Sequence, residues 1–136
     1  MTSADFDFQL QINTKSVFEL SKICIALMPK GSHIVNISSM GGFQGSVKFP
    51  GLSLYSASKG AVSILTESLA AELTEQRISV NALTFGAVDI DMLRSAFPDY
   101  QASFSAQEMG EYLADFALNK AKYYNGKVLP VSSSTP

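Results

Sequence analysis

The sequence holds one cysteine, Cys24, and one histidine, His33. A single cysteine excludes an internal disulfide. One of each leaves too few ligands for the His/Cys cages that hold structural zinc. Cys24 reads as a small apolar residue on a helix. There is no Gly-x-Ser-x-Gly elbow, and a lone histidine gives a serine hydrolase little to work with. No basic start followed by an apolar run occurs at Met1, so no secretory signal is expected. No apolar run reaches about 18 residues, the length that spans a bilayer. The cytoplasm is the expected compartment. The net charge of −2 argues against a dedicated binder of nucleic acid or of an anionic membrane. A Gly-x-Gly-x-x-Gly phosphate loop is missing as well. Gly41, Gly42 and Gly45 follow a strand at the wrong spacing, and read as a flexible rim. The chain contains no internal repeat.

The 136 residues are 46% hydrophobic and 16% charged, enough to bury the core of one modest domain. Residues from about Ala4 to Met28 read as a long helix. Ser3 is its expected cap, Asp5 and Asp7 suit the first turn, and Pro29-Lys30-Gly31 ends it. Val17, Leu20, Cys24, Leu27 and Met28 repeat at helical spacing. His33–Ser39 is a nearly continuous apolar run, as expected of a parallel strand buried on both faces. His33 itself reads as a surface residue. Met40–Ser53 is a Gly-rich loop, and Ser53 to about Gln76 a helix. Val62, Leu65, Leu69 and Leu73 form one apolar stripe on that helix. A second, small-residue surface includes Ala57, Gly60, Ala61, Ile64, Ser68 and Ala71, so burial on two sides is expected. Ile78–Thr84 is the next strand. Asp89 and Asp91 read as a solvated turn. Ser105 followed by Glu108 is a capping box opening a helix to Asn119, with Met109, Tyr112, Leu113 and Phe116 on its inner face. Asn125-Gly126 turns the chain into Lys127–Val131, where Pro130 demands an edge strand.

The chemistry gathers in Ser53-Leu54-Tyr55-Ser56-Ala57-Ser58-Lys59-Gly60. Four residues separate Tyr55 from Lys59, which puts both on one face of a helix. A free phenol titrates near pH ~10, too high for a base at neutral pH. A neighbouring cation favours the phenolate, so such a pair makes an acid/base catalyst.

The ordered set is more specific than the pair. A strand ends in Ser38-Ser39-Met40-Gly41-Gly42, the Tyr-x-x-x-Lys helix follows, and a second strand carries Asn81-Ala82 and runs into Gly86. This resembles the catalytic half of the short-chain dehydrogenase/reductase family, over nearly the whole chain. The resemblance implies the C-terminal part of a Rossmann-like, doubly wound parallel sheet: three parallel strands with flanking helices. Residues 1–136 would be a single partial domain. On the order of a hundred residues of the family's N-terminal, cofactor-binding half would have no counterpart here.

The same resemblance implies hydride transfer between NAD or NADP and a small carbonyl or alcohol substrate. Tyr55 would transfer the proton, and Lys59 would favour the phenolate and bind the nicotinamide ribose. Ser39, followed by Met40-Gly41, matches the family's serine better than Ser38, whose side chain alternates to the other face. Asn13, with Phe18, matches the family's asparagine that holds a relay water. Gly86 and Val88 match positions lining the nicotinamide pocket. Phe85 and Ile90 depart from the family's proline and threonine. The connection from Ser39 to Tyr55 is slightly long, which shapes substrate access, and Asp91–Tyr100 would cover the substrate pocket. Where the family often ends in Asp-Gly-Gly, this chain ends Ser132-Ser133-Ser134-Thr135-Pro136. The short stretch after Lys59 suits the compact classical members better than sugar-nucleotide epimerases. The resemblance also implies a homo-oligomer through the helices 4–28 and 53–76. The alternative is a non-catalytic interaction or oligomerisation protein derived from the same fold.

Overall fold

In the computed structural model, which describes residues 1–133, the chain opens on helix α1 (Ser3–Leu10). Thr2, not Ser3, is the cap. Its Oγ1 accepts from the Asp5 amide at 3.2 Å, and the Asp5 carboxylate accepts from the Thr2 amide at 2.7 Å. The exchange satisfies two amides that a helix start leaves without partners.

The single helix expected over Ala4–Met28 is interrupted. Gln11–Lys15 widens into a π-helical segment before α2 (Ser16–Ile25), with the Ser16 amide donating to the Gln11 carbonyl five residues back. An extra residue in one turn turns the following face away from the simple apolar stripe. Ser21 becomes buried, and Ile25 and Met28 pack on the core. Leu20 and Leu27, assigned to the buried stripe by spacing, are 63% and 82% exposed.

Strand β1 (His33–Ser39) is followed by a 3₁₀ turn (Met40–Gly42), helix α3 (Ser53–Glu72) and strand β2 (Ser79–Phe85). Then come β3 (Val88–Asp89), α4 (Asp91–Ala96), β4 (Phe104–Ser105), α5 (Ala106–Asn119) and β5 (Val128–Val131). β1, β2 and β5 form one parallel sheet in that order. His33 faces Ser79 at one end and Ser39 faces Phe85 at the other; Ala82 to Phe85 face Val128 to Val131. A parallel pair needs a crossover, which α3 provides. Pro130 lies in the edge strand, where a residue without an N–H costs the ladder least. β3 and β4 add a separate two-residue parallel ladder. No helix among the described residues is long and apolar enough to cross a membrane. Ser134, Thr135 and Pro136, where the sequence departs from Asp-Gly-Gly, lie outside the described residues.

Leu69 and Ala70 of α3, with Leu73 just past its end, pack on Ile78 and Val80. The side of β1 facing α3 is polar, not apolar. Asn36 Nδ2 donates to Thr66 Oγ1 at 2.9 Å, and Ser38 Oγ donates to the Lys59 carbonyl at 2.8 Å. These bonds join strand to helix at two levels and fix α3 along its axis. Among the described residues each buried side-chain polar atom finds a partner, which is the condition for tolerating it.

His33 is half-buried, not a free surface residue. Its Nδ1 lies 3.0 Å from the Ala117 carbonyl and its Nε2 2.9 Å from Asn81 Nδ2. Asn81 also donates to the Tyr124 carbonyl and accepts from the Lys127 amide. Burial pushes the imidazole below its ordinary pKa of 6.5, against the opposing effect of the Ala117 carbonyl. Phe116 of α5 is buried beside the imidazole ring. Tyr112, expected on the same inner face, is 45% exposed and stacks on Phe116.

Candidate active site

β1 and β2 end side by side at Ser39 and Phe85. In open parallel sheets the ligand crevice lies beyond these carboxyl ends. The connection leaving β1 leads into α3, whose first turns carry Tyr55 and Lys59. The Lys59 ammonium donates to the Ile37 carbonyl at 3.1 Å, just short of the end of β1. Its nitrogen lies 5.9 Å from the Tyr55 ring centroid. Loss of water around it pushes its pKa below the ordinary 10.5.

Ser39 Oγ accepts from the Gly41 amide at 3.1 Å. Gly41 marks a shared space: a Cβ built there would sit 3.5 Å from Ser39 Oγ, 3.8 Å from Tyr55 Cε1 and 3.2 Å from Ser56 Oγ. Ser39 and Tyr55 thus border one small volume. Ser38 faces away from it, buried against the Lys59 carbonyl and 3.1 Å from Ser63 Oγ.

Gly42 corrects the expectation of a flexible rim. A Cβ there would lie 2.5 Å from both the Gly60 nitrogen and the Lys59 carbonyl carbon. The turn after β1 is pressed onto the backbone of α3 at the lysine. Of these three glycines, Gly45 has φ +85° and nothing close to it, as a conformational hinge would.

Asn13 sits in the π-helical segment. Its Nδ2 donates to Gln9 Oε1 at 2.9 Å and to Ser58 Oγ at 3.1 Å. Ser58 Oγ donates to the Tyr55 carbonyl at 2.7 Å, and Thr14 Oγ1 donates to the Ser58 carbonyl at 2.9 Å. Asn13 therefore ties the widened turn to the turn of α3 that holds Tyr55. Ser58 is fully buried at the centre of this network, and spacing alone did not single it out. The available signal was a polar residue on the inward side of α3, repeated at Ser63 and Thr66.

Gly86 and Val88 lie past the end of β2. The Gly86 amide donates to the Val131 carbonyl at 3.1 Å, and a Cβ on Gly86 would meet Ser132 Cβ at 2.8 Å. Val88 pairs with Phe104 in the β3–β4 ladder. Asp89 and Asp91 are exposed, and both accept from Arg94.

The fold is a parallel α/β sheet of the Rossmann type, with Tyr55 and Lys59 on the helix that follows the carboxyl end of β1. The family description for short chain dehydrogenases matches residues 1–101. The chain belongs to the short chain dehydrogenase family. It is 36% identical over 110 residues to carbonyl reductase [NADPH] 2 of Sus scrofa, covering 79% of this chain and 44% of that protein. It is 30% identical over 144 residues to the 3-oxoacyl-[acyl-carrier-protein] reductase FabG of Escherichia coli, covering 97% of this chain and 58% of the relative. Among solved structures, a short chain dehydrogenase of Burkholderia cenocepacia in complex with NADP superposes with a TM-score of 0.85 at 26% identity, over 99% of this chain and 58% of the other. A short-chain dehydrogenase/reductase of Serratia marcescens gives 0.77 at 27% identity, over 96% and 56%. The chain spans about half the length of the curated relatives it matches.

Proposed function

We propose that residues 1–136 form the catalytic half of an NAD(P)-dependent oxidoreductase acting on a small carbonyl or alcohol compound. One observation carries the reading: Tyr55 and Lys59 occupy one face of α3 at the end of β1, with Ser39 on the same small volume. The printed names of the Sus scrofa and Burkholderia proteins, one an NADPH reductase and one bound to NADP, support the cofactor class.

The residues present fit the nicotinamide end of such a cofactor. An ammonium has three donors and the Ile37 carbonyl takes one from Lys59, so the others suit ribose hydroxyls. When bound, the cofactor supplies or accepts the hydride. Tyr55 gives its phenolic proton to the substrate oxygen in reduction and takes it back in oxidation. The Lys59 cation favours the negative charge that passes through the phenol oxygen. Ser39 Oγ accepts from the Gly41 amide, which leaves its O–H to donate to the substrate oxygen as charge develops. Asn13 and Ser58 hold the Tyr55 turn in place.

The test is Tyr55→Phe in the full-length protein. Turnover should fall by about 10²–10⁴-fold, the usual worth of a positioned proton donor, with nicotinamide binding little changed. Undiminished turnover would remove the mechanism.

A second reading, an interaction protein built on this fold, draws support from the exposed apolar residues of α1 and α2. Titration of the 136-residue chain with NADH and NADPH tests this second reading in one direction. The chain has no Gly-x-Gly-x-x-Gly loop to hold a pyrophosphate, so no saturable binding is expected of it in isolation. Saturable binding would discount the interaction reading.

A further inference from the structure

The cations of this chain are unevenly placed. Three loops lead into the sheet at its amino-terminal edge: residues 26–32 before β1, 73–78 before β2 and 120–127 before β5. Hydrogen bonds join them into one surface. The Gly31 amide donates to the Arg77 carbonyl at 2.8 Å, and the Ser79 amide to the Ser32 carbonyl at 3.0 Å. Ser79 Oγ donates to the Ala121 carbonyl at 3.2 Å, and the Gly126 amide to the Val80 carbonyl at 2.8 Å. Lys30, Arg77, Lys120, Lys122 and Lys127 lie on these loops. They are five of the ten lysines and arginines, against Glu75 alone of the twelve acids. The net charge of −2 is a sum over the chain and conceals this division.

Neither the helix ends nor ion pairing accounts for these cations. A helix C-terminus favours a cation in its last turn. α3 and α5 have no basic residue there, and the loop cations stand beyond it. Among the described residues, Lys120 pairs with Asp115 at 3.3 Å and the other four form no ion pair. Lys30, Arg77, Lys122 and Lys127 are all exposed. Apolar side chains stand beside them. Leu27, just past α2, and Leu118, in the last turn of α5, are each 82% exposed. Tyr123 is exposed as well, with the Lys122 ammonium 4.9 Å from its ring centroid. The two leucines belong to opposite faces of the sheet. Asn36 and Ser38 of β1 reach α3, on whose core residues Ile25 of α2 packs, while His33 reaches α5. The loops that carry the cations run between these two flanks.

We infer that the amino-terminal edge of the sheet is a docking surface for an anionic lipid membrane. The distribution of side chains decides the partner. A contact with another protein gathers its apolar residues at a dry centre and puts charges around the rim. Here the apolar residues stand at the flanks. A nucleic acid pairs with cations through its phosphates and gives Leu27 and Leu118 nothing. A flat anionic bilayer suits the whole set. The leucines enter the headgroup boundary, Tyr123 lies at headgroup level, and the lysines and Arg77 reach the phosphates. β1 runs seven residues from this edge to Ser39, about 20 Å. The Tyr55–Lys59 end of the molecule therefore faces water. The docking surface does not depend on the oxidoreductase reading.

The probes are vesicles of equimolar phosphatidylcholine and phosphatidylserine, vesicles of phosphatidylcholine alone, and polyuridylate. Binding of the full-length protein is followed by co-sedimentation for the vesicles and by fluorescence anisotropy for polyuridylate. The protein should bind the anionic vesicles at low salt, leave the neutral ones, and dissociate as salt is raised. Lys30→Gln or Lys127→Gln should each weaken binding by about 5-fold, the worth of one cation at a charged bilayer. Lys48→Gln removes the same charge from the connection at the opposite edge and should change nothing. Leu27→Ser combined with Leu118→Ser should weaken vesicle binding with helical circular dichroism unchanged. No binding to the anionic vesicles, or equal binding to both kinds, would overturn the proposal. A loss with Lys48→Gln equal to that with Lys127→Gln would also overturn it, as diffuse attraction of charge. Binding indifferent to the leucines and matched by polyuridylate would assign the edge to a polyanion instead of a membrane.

Discussion

Gly42 lacks a side chain because α3 occupies the place where one would go. The atoms in the way are backbone, the Gly60 nitrogen and the Lys59 carbonyl carbon, so no rotamer change relieves the clash. Gly42→Ala should destabilise by about 1–3 kcal/mol, the usual cost of overpacking. It should also lower turnover, because Lys59 is displaced. A thermal melt and a rate measurement check both, and an unshifted melting temperature would refute the packing argument. His33 makes a second case. Asn81 Nδ2 is a donor, so Nε2 must accept from it, and Nδ1–H donates to Ala117. Protonation would set two donors against each other. With the folded pKa below 6.5, the contribution to stability is complete above that value and is lost as the pH falls through the lowered pKa. Unfolding free energy should therefore fall from pH 7.5 toward 5.5, and His33→Gln should flatten that slope. Neither role was legible in the sequence. The partners of His33 lie 48 and 84 residues away, and a glycine in a loop looks the same whether it is free or pressed against a helix.

At the scale of elements, β1 and α3 are joined by polar bonds where spacing suggested only an apolar contact. Asn36 and Thr66 are both buried, and Thr66 Oγ1 also donates to the Val62 carbonyl. Removing one partner leaves the other without its bond in the core. Thr66→Val or Asn36→Ala should each cost about 1–3 kcal/mol, while replacing both with apolar residues should cost much less than the sum. A double-mutant cycle in urea reads this directly, and strict additivity would contradict it. The three strands and α3 were legible because apolar runs, the Tyr-x-x-x-Lys spacing and the turn residues agreed. The π-helical segment was not, since Val17, Cys24 and Met28 fit a plain helix equally well. What moved was the edge of the stripe: Leu20 and Leu27 turned outward and Ser21 inward. Asn13 was legible as a residue to watch, but its attachment to Ser58 depends on the widened turn.

For the whole molecule, the sides of the long helices turned away from the sheet remain to be explained. Ala57, Ser68 and Ala71 of α3 are exposed around Ile64, which is itself 63% exposed. Phe8, Ile12 and Ile23, from the long helical stretch before β1, are more than half exposed. Small residues around a large apolar one let another helix approach closely, and apolar patches of this kind mark contact surfaces. Association of copies through the helices 4–28 and 53–76 is therefore the expected state. A symmetric dimer would bury Ile64 twice, at about 1.5–3 kcal/mol for each side chain. Ile64→Asp removes that gain and places a carboxylate in each half of the contact. The dissociation constant should rise by roughly 100-fold or more on that scale. Light scattering across a dilution series should give more than one chain mass for the wild type and one for the variant, with helical circular dichroism unchanged. Ile64 lies on the side of α3 opposite the buried Val62, Leu69 and Leu73, so its loss should not unfold the helix. A wild-type mass equal to one chain at every concentration would mean that the exposed face serves something other than self-association.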